Sequence, residues 1–365
     1  MFCMRQEFGP AEVPLGSFTE KRSVKVRLLA LVSAVVLYLG PGGAHSQQLP
    51  DFLQPPESPP EASVPPLKVR SGPHKEHPFR AHNAAGTPPS DNSYPLRFHG
   101  GRVQDWIRSY AIFWVPPGYT FEKYGSDSTY WNLIRRYLID VGGSTFYNPT
   151  TQYCDYYNCT RNNSTWAGWV LDSRPYPHGT YTTDGDIQEE VWREISLNNW
   201  PYGLHYQFFV FTASGLLTYS ANNGWSTNGT TGTYCAYHSH YYPNNTSNAP
   251  VIYANMPSQD QHWNCSAHSG NNFYAPSGDY TADGAISTLS HEQFEMITDP
   301  LGNGWYDDQG NENGDKCSYH YGTVSSDQAN VTLNGHRYIL QGEWSNDLYS
   351  RTGYGCTWYR GYAYN

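Results

Sequence analysis

The sequence predicts a single α+β domain, or an α/β domain, built on a mixed central sheet that is flanked by helices. Two observations support this prediction. Apolar segments with strand character alternate with segments of helical periodicity, and no internal repeat divides the chain. The 365 residues are enough for one large domain or two modest ones.

Three segments have the apolar spacing of helices. In STYWNLIRRYLIDVGG, Ile134 and Leu138 share one face. In TTDGDIQEEVWREISLNNW, the helix is expected to begin at Thr183 or Asp184. The third helix carries the stretch SHEQFEMITDP and is expected to end before Pro300.

Apolar and β-branched runs predict the strands of the sheet. They are SYAIFWVPPGY, HYQFFVFTAS and PVIYANMP, with STFYNPTTQY as a further extended segment. The C-terminal stretch ANVTLNGHRYILQGEWS predicts a hairpin that turns at Asn334 and Gly335, because both positions of such a turn favour Asn and Gly.

The N-terminal part of the sequence predicts export. A basic region precedes an apolar run of about a dozen residues and a small-residue cleavage signal, which is typical of a secretory signal peptide. We therefore expect a leader at 1–46. Residues 47–98 are expected to be a disordered, Pro-rich linker, with a propeptide as the alternative, because 12 of the 26 prolines lie there. The folded domain is expected at 99–365.

Cysteine usage agrees with an exported protein. Six cysteines follow the leader, and an even number predicts up to three disulfides. Cys154 and Cys159 are close enough in sequence to close a small loop. The alternative is cysteine ligation of zinc, against which stands the absence of any CxxC pair from the sequence.

Charge narrows the class of partner. The chain carries 22 Lys and Arg against 32 Asp and Glu, for a net charge of −10. No basic cluster is present in the expected mature chain, which argues against nucleic acid and anionic membranes as partners. No second apolar run is long enough for a membrane span. Abundant Tyr, Trp and Asn-X-Ser/Thr sequons indicate an extracellular protein, a glycoprotein if its host glycosylates it.

The third helix holds the residues with the clearest chemistry. His291 and Glu295 are separated by four positions, so on a helix they lie on one face and can bind one metal ion. Glu292 lies beside them, where a general base acts in the HExxH pattern of zincin-type active-site helices. A carboxylate in place of the second His still suits Zn²⁺, and it admits Mn²⁺ or Ca²⁺. The alternative is a chance HExxE in an ordinary amphipathic helix.

Further ligands are expected from other segments. The loop GNENGDKC offers Glu312 and Asp315, although such a loop is also typical of an acidic surface turn. Asp299 is a third ligand or orients His291. In the extended segment YCAYHSHY, His238 and His240 face the same side and are a further candidate ligand pair, although two such His are more often surface residues.

The chain resembles the Exordium-like, phosphate-induced family of secreted proteins. The resemblance runs from about Ala111 to the C-terminus and is carried by YAIFWVPPGY, TDGDIQEEV, FFVFTASG, YCAYH, SHEQFEMITDP, GWYDDQGNENGDKC and HRYILQGEWSN. It is closer to the microbial branch, because of TDP and EWSN. The resemblance implies an extracellular or cell-wall protein with no settled biochemical activity. It also implies that His291, Glu292, Glu295 and Asp315 form part of a shared pattern.

Three functions fit these observations. The leading hypothesis is a secreted, zinc-dependent, peptidase-like hydrolase that acts on a peptide or a cell-wall-associated substrate. In it His291 and Glu295 bind the metal, Glu312 or Asp315 completes the site, and Glu292 is the base. The second is a non-catalytic extracellular cell-wall or growth-signalling protein in which the same residues hold a structural metal or a polar network. The third is a carbohydrate-binding module that uses exposed Trp and Tyr.

Overall fold

The computed structural model describes residues 54–59, 64–69, 75–81, 94–121, 126–227, 232–244, 248–259, 264–269 and 272–358. The chain divides into two compact units, residues 1–44 and 45–365, and every described residue belongs to the second. The predicted leader at 1–46 lies outside the described residues. The domain boundaries placed at 46 and 98 therefore stay predictions.

The helices of the described residues include the three that the sequence predicts. These are α1 (Asp127–Asp140), α2 (Asp184–Asn198) and α3 (Tyr280–Thr298), and a short α4 (Asn346–Thr352) follows near the C-terminus. Two 3₁₀ helices span Asn148–Gln152 and Asp315–Cys317. The first corrects the prediction that STFYNPTTQY is extended, because Pro149 starts a helical turn there.

The strands of the described residues are short apart from those of the central sheet. In chain order they are β1 (His77–Arg80), β2 (Arg97–Phe98), β3 (Ile107–Trp114), β4 (Ser164–Asp172), β5 (Tyr181–Thr183), β6 (Tyr206–Thr212), β7 (Leu217–Ser220), β8 (Gly224–Trp225), β9 (Tyr234–Tyr241), β10 (Val251–Met256), β11 (His268–Ser269), β12 (Asn272–Phe273), β13 (Trp305–Tyr306), β14 (Val331–Leu333), β15 (His336–Tyr338), β16 (Glu343–Trp344) and β17 (Cys356–Thr357).

The central sheet has six strands in the order β1-β9-β10-β6-β3-β4. Strands β10, β6, β3 and β4 run parallel to one another, whereas β9 runs antiparallel to both β10 and β1. The sheet is therefore mixed, and the predicted α+β domain is confirmed. The predicted hairpin is also confirmed, since β14 and β15 pair across Asn334 and Gly335, both of which have positive φ.

Helices cover both faces of the sheet because its strands are apolar on both sides. On one face, Phe113, Phe209 and Ala254 pack with residues of α1 and α3. On the other face, Ile112 and Val210 pack with residues of α2. On the first face α1 lies over β3 and β4, and α3 lies beside it over β9 and β10. Because every residue of α3 from Thr281 to Thr298 is buried, the predicted site residues of this helix lie in the interior.

Disulfides fix three parts of the domain. They join Cys154 to Cys159, Cys235 to Cys265, and Cys317 to Cys356. The small loop predicted for the first pair is confirmed. Such bridges are typical of exported proteins. Among the described residues, no helix combines the length and the apolarity that a membrane span requires.

Part of the segment predicted as a linker belongs to the sheet. Residues 77–80 form β1, the edge strand beside β9, and Glu57 bridges to Leu171 of β4 at the opposite edge. The prediction of a disordered linker is wrong for these residues. Pro78 is compatible with β1 because an edge strand tolerates a residue without a backbone N–H. The side chain of Glu76 anchors the strand by accepting hydrogen bonds from Ser220 and nearby amides.

Candidate metal centre

Helix α3 is buried on every side rather than amphipathic. From Thr281 to Thr298 all of its residues are buried, including the polar ones. The helix begins after Asp279, whose carboxylate accepts a hydrogen bond from the backbone N–H of Ala282. Buried polar groups require partners, so the polar side chains of α3 define where a site can exist. Some are satisfied by protein atoms, as Gln293 is by Tyr137.

His291, Glu295 and Asp315 converge as the sequence predicts. His291 Nε2 lies 3.0 Å from Glu295 Oε1 and 3.8 Å from Asp315 Oδ1. One ligand atom from each of the three lies within 4.8 Å of the others. The backbone N–H of Asp315 also donates to Glu295 Oε1 at 3.0 Å, which holds the downstream loop against α3. We call this group the His291 centre.

Glu292 lies next to this centre and contacts His238 of β9. His238 Nδ1 is 3.1 Å from Glu292 Oε2 and 3.5 Å from Glu295 Oε2. His238, a further candidate ligand in the sequence, therefore lies beside the His291 centre. Glu295 faces His291 with one oxygen and His238 with the other, so it links the two imidazoles.

A second group of histidine and carboxylate side chains adjoins the His291 centre, and the two groups meet at His238. His77 of β1 places Nδ1 2.9 Å from Glu312 Oε2, and His238 Nε2 lies 3.8 Å from Glu312 Oε1. The rings of His77 and His238 stack with centroids 5.0 Å apart. His77 is the site residue that sequence reasoning missed. Its only signal was a histidine in a segment whose prolines indicated a linker.

Several buried polar atoms at this site have no hydrogen-bond partner. They are His238 Nε2, His291 Nε2, Glu292 Oε1, Asp299 Oδ2 and Glu312 Oε1. Such atoms cost roughly 1–3 kcal/mol each when left unsatisfied. Within each group of converging side chains such atoms fit a cation, and a set of imidazoles and carboxylates suits Zn²⁺ or Mn²⁺.

The balance of charge also favours a cation. Burial is the largest influence on the pKa of His291 and lowers it, but Glu295, Glu292 and Asp315 together outweigh burial and raise the pKa to about 10. Burial and then Glu295 raise the pKa of Asp315 to about 7, and burial, Glu295 and Asp299 raise that of Glu312 well above its usual range. The carboxylates outnumber the imidazoles, and a bound cation would offset their mutual repulsion.

Neighbouring residues fix the ring of His291. The amide of Gln341 lies 2.6 Å from His291 Nδ1, which turns Nε2 toward Glu295 and Asp315. Phe79 of β1 stacks on the other side of the ring with centroids 4.0 Å apart. Outer contacts of this kind are usual around histidines that bind metals.

Two of the residues predicted as metal ligands, Asp299 and His240, are not among the converging side chains in the described part of the chain. Asp299 Oδ1 accepts a 2.6 Å hydrogen bond from the backbone N–H of Gly304, and Asp299 interacts with Glu312 rather than with His291. Among the described residues, His240 belongs to none of the groups whose ligand atoms converge. It is half-buried near Tyr242.

Another acidic group lies far from α3 in the sequence. Asp172, Glu190 and Glu194 also have converging oxygens. Arg174 pairs with Asp172 and Glu190, and Arg193 pairs with Asp172 and Glu194. Two guanidinium groups already pair with all three carboxylates, so the group is an ion-pair network.

The fold and the site together define a disulfide-bonded α+β protein with a buried histidine and carboxylate centre. Residues 225–344 match the family model described as phosphate-induced protein 1 conserved region. This match confirms the family resemblance predicted from the sequence. The matched residues include every member of the site named above apart from those of β1. Neither a curated protein nor a solved structure gave a significant match to the chain.

Proposed function

We propose that this protein is a secreted, metal-dependent hydrolase of peptidase type. His291, Glu295 and Asp315 would hold a divalent cation, zinc before Mn²⁺ or Ca²⁺. The observation that carries the proposal is the convergence of these three side chains beside Glu292, which keeps one carboxylate oxygen without a hydrogen-bond partner. Export is supported by the three disulfides.

The chain's own residues divide the chemistry as follows. A divalent cation held at this centre would lower the pKa of a bound water and polarise a carbonyl oxygen. Glu292 Oε1 accepts the proton of the attacking water, while the contact between Glu292 Oε2 and His238 Nδ1 fixes the direction of the carboxylate. His238 is placed to stabilise negative charge at Glu292 and Glu295.

Strand β1 indicates the class of substrate. It is an extended segment that adds to the free edge of β9 in antiparallel register, with His77 opposite His238 and Phe79 opposite Ala236. Proteins that bind extended peptides use this mode of strand addition. Phe79 enters the site and stacks on His291. β1 therefore occupies the position that a peptide substrate would take, and the full chain would have low activity until β1 is displaced.

The test is hydrolysis of a peptide library by the purified chain with zinc. Phe79→Ala is expected to raise the rate, because it removes the side chain that covers His291. Pro78→Ala changes the outward-facing neighbour in β1 and is expected to leave the rate unchanged. Glu292→Gln in the Phe79→Ala background is expected to reduce the rate by about 100-fold or more, because it removes the proposed base. The matched control is Glu189→Gln on the exposed side of α2, which is expected to leave the rate unchanged.

A second candidate function is favoured by the burial of the site. His291, Glu292 and Glu295 are at most 1 % exposed, and β1 is firmly anchored over them. A non-catalytic extracellular or cell-wall protein would use the same residues to hold a structural cation. In that case all variants retain cation binding except those of the ligands, and no peptide is cut even in Phe79→Ala.

Carbohydrate is a further proposed partner. Tyr219 and Trp225 lie on neighbouring strands, are 38 % and 40 % exposed, and have ring centroids 5.0 Å apart. Exposed aromatic side chains of this kind suit sugar rings. A pull-down with cell-wall polysaccharide, compared between the natural chain and Trp225→Ala, tests this role separately from hydrolysis.

A further inference from the structure

We infer that His77, His238 and Glu312 form a second divalent-cation site, one that joins strand β1 to the rest of the domain. This site lies beyond the proposed hydrolase, since the cation proposed above is held by the His291 centre alone and His238 contacts Glu292 there through its other ring nitrogen. Its ligand atoms come from β1, from β9 and from the loop that precedes the 3₁₀ helix at Asp315–Cys317.

The atoms of the second site are distinct from those of the first. His238 Nε2 faces Glu312, whereas its Nδ1 faces Glu292 and Glu295. The three ligand atoms of the second site lie within 4.8 Å of one another, and the residues are all buried. Both sites can therefore be filled without sharing an atom.

Two atoms point into this second site without a hydrogen-bond partner. They are His238 Nε2 and Glu312 Oε1, on side chains that are no more than 2 % exposed. In the described part of the chain, the ion pairs of Glu312 are formed with His77 and His238 only, and no Lys or Arg balances its charge. A cation would satisfy both atoms and compensate for the carboxylate.

The donor set suggests the class of cation. Two imidazoles and one carboxylate are ligands that Zn²⁺ accepts in proteins, and Fe²⁺ and Mn²⁺ use the same set. Asp299 lies within hydrogen-bonding reach of Glu312 and is not itself one of the three converging ligands. The close approach of Gly302 supports His77, because a side-chain carbon at Gly302 would lie 2.9 Å from His77 Nε2.

A cation here would act as a clip between β1 and the domain. His77 lies before residue 99, whereas His238 and Glu312 belong to the domain expected at 99–365. Binding that occurs only in the paired state stabilises that state by mass action. Filling the second site would therefore hold β1 in place over the His291 centre.

The experiment measures zinc stoichiometry on the full chain after removal of metal with a chelator, by equilibrium dialysis and elemental analysis. The natural chain is expected to bind two zinc ions. His77→Ala and Glu312→Gln are each expected to bind one, and Pro78→Ala, the control in the same strand, two. Glu295→Gln is expected to retain the second-site zinc. Circular dichroism identifies the variants that are folded, and Glu312→Gln preserves side-chain volume should His77→Ala fail to fold.

Trypsin cleavage after Arg80 gives a readout that does not depend on catalysis. Zinc is expected to slow this cleavage in the natural chain and in Pro78→Ala, but not in His77→Ala. The inference is overturned if the natural chain binds a single zinc that the His77 and Glu312 variants keep. That result would leave the proposed hydrolase intact. The hydrolase is tested by a different variant, Glu295→Gln, which is expected to lose the zinc at the His291 centre.

Discussion

Gly314 lies so close to His291 that a side-chain carbon at Gly314 would be 2.6 Å from Nδ1 of the imidazole. The backbone at Gly314 has φ −67° and ψ −39°, a conformation that any residue adopts. The glycine is therefore required by the approach of the ring and not by the backbone. Gly314 comes just before Asp315, so one short loop both carries Asp315, a proposed ligand, and confines the ring of His291.

Gly314→Ala is expected to displace His291 and to weaken zinc binding at its centre by about tenfold or more, in the range seen for residues that orient ligands. Isothermal titration calorimetry measures this change. Gly185→Ala is the matched control, because the nearest atom to its added carbon is 3.7 Å away. Unchanged zinc affinity in Gly314→Ala would contradict the described position of the ring.

The disulfide between Cys317 and Cys356 holds the same loop against the C-terminal strand β17. Replacing both cysteines with Ala is expected to lower the free energy of unfolding by about 4 kcal/mol on the chain-entropy estimate for its 39-residue separation. It is also expected to weaken zinc binding, because Asp315 starts the 3₁₀ helix that Cys317 ends.

The control removes the disulfide between Cys154 and Cys159. Its separation of 5 residues gives a smaller loss of about 2 kcal/mol by the same estimate, and zinc affinity should not change. Denaturant titration and calorimetry on both double variants separate the two effects. Equal loss of zinc affinity in both double variants would show that the disulfide between Cys317 and Cys356 does not specifically position Asp315.

Asp283 makes the stability of the domain depend on pH. Burial raises the pKa of its carboxyl from 3.8 to about 7, although hydrogen bonds from Ser277 oppose the shift. A raised pKa means that the folded state binds the proton more tightly. The contribution of Asp283 to stability is therefore complete below pH 4 and is lost as the pH rises from 4 to 7.

Asp283→Asn is expected to remove this dependence, because an amide still accepts the hydrogen bonds of Ser277 and does not titrate. The difference in unfolding free energy between the variant and the natural chain should change by up to about 4 kcal/mol between pH 4 and pH 8, at about 1.4 kcal/mol per pKa unit. Asp308→Asn, at an exposed position, should keep the natural slope. A variant that retains the natural slope would exclude Asp283 as its source.

Local sequence patterns were sufficient to predict much of this fold. The helix of the site was predicted from its apolar spacing and from Pro300, and the four-residue spacing of His291 and Glu295 then predicted that they share a face. Asp315 was predicted because a Gly- and Asn-rich loop can return to a helix. The hairpin at Asn334 and Gly335 follows from backbone preference alone.

Features that depend on distant residues could not be predicted. The pairing of Cys235 with Cys265 and of Cys317 with Cys356 is set by tertiary contacts that have no local signal. His77 was missed because β1 is four residues long, contains a proline and gains its structure only by pairing with β9. His238 was ambiguous for the same reason, since only the packing of α3 against β9 brings it to Glu292.

The most direct test of the central claim is zinc binding by the full chain compared with Glu295→Gln and Glu189→Gln. The account predicts that Glu295→Gln remains folded and loses zinc at the His291 centre, with affinity reduced by more than about 100-fold, since a ligand should matter more than a residue that only orients one. Glu189→Gln should bind as the natural chain does. Equal zinc stoichiometry and affinity in all three proteins would contradict the claim that His291, Glu295 and Asp315 hold a cation.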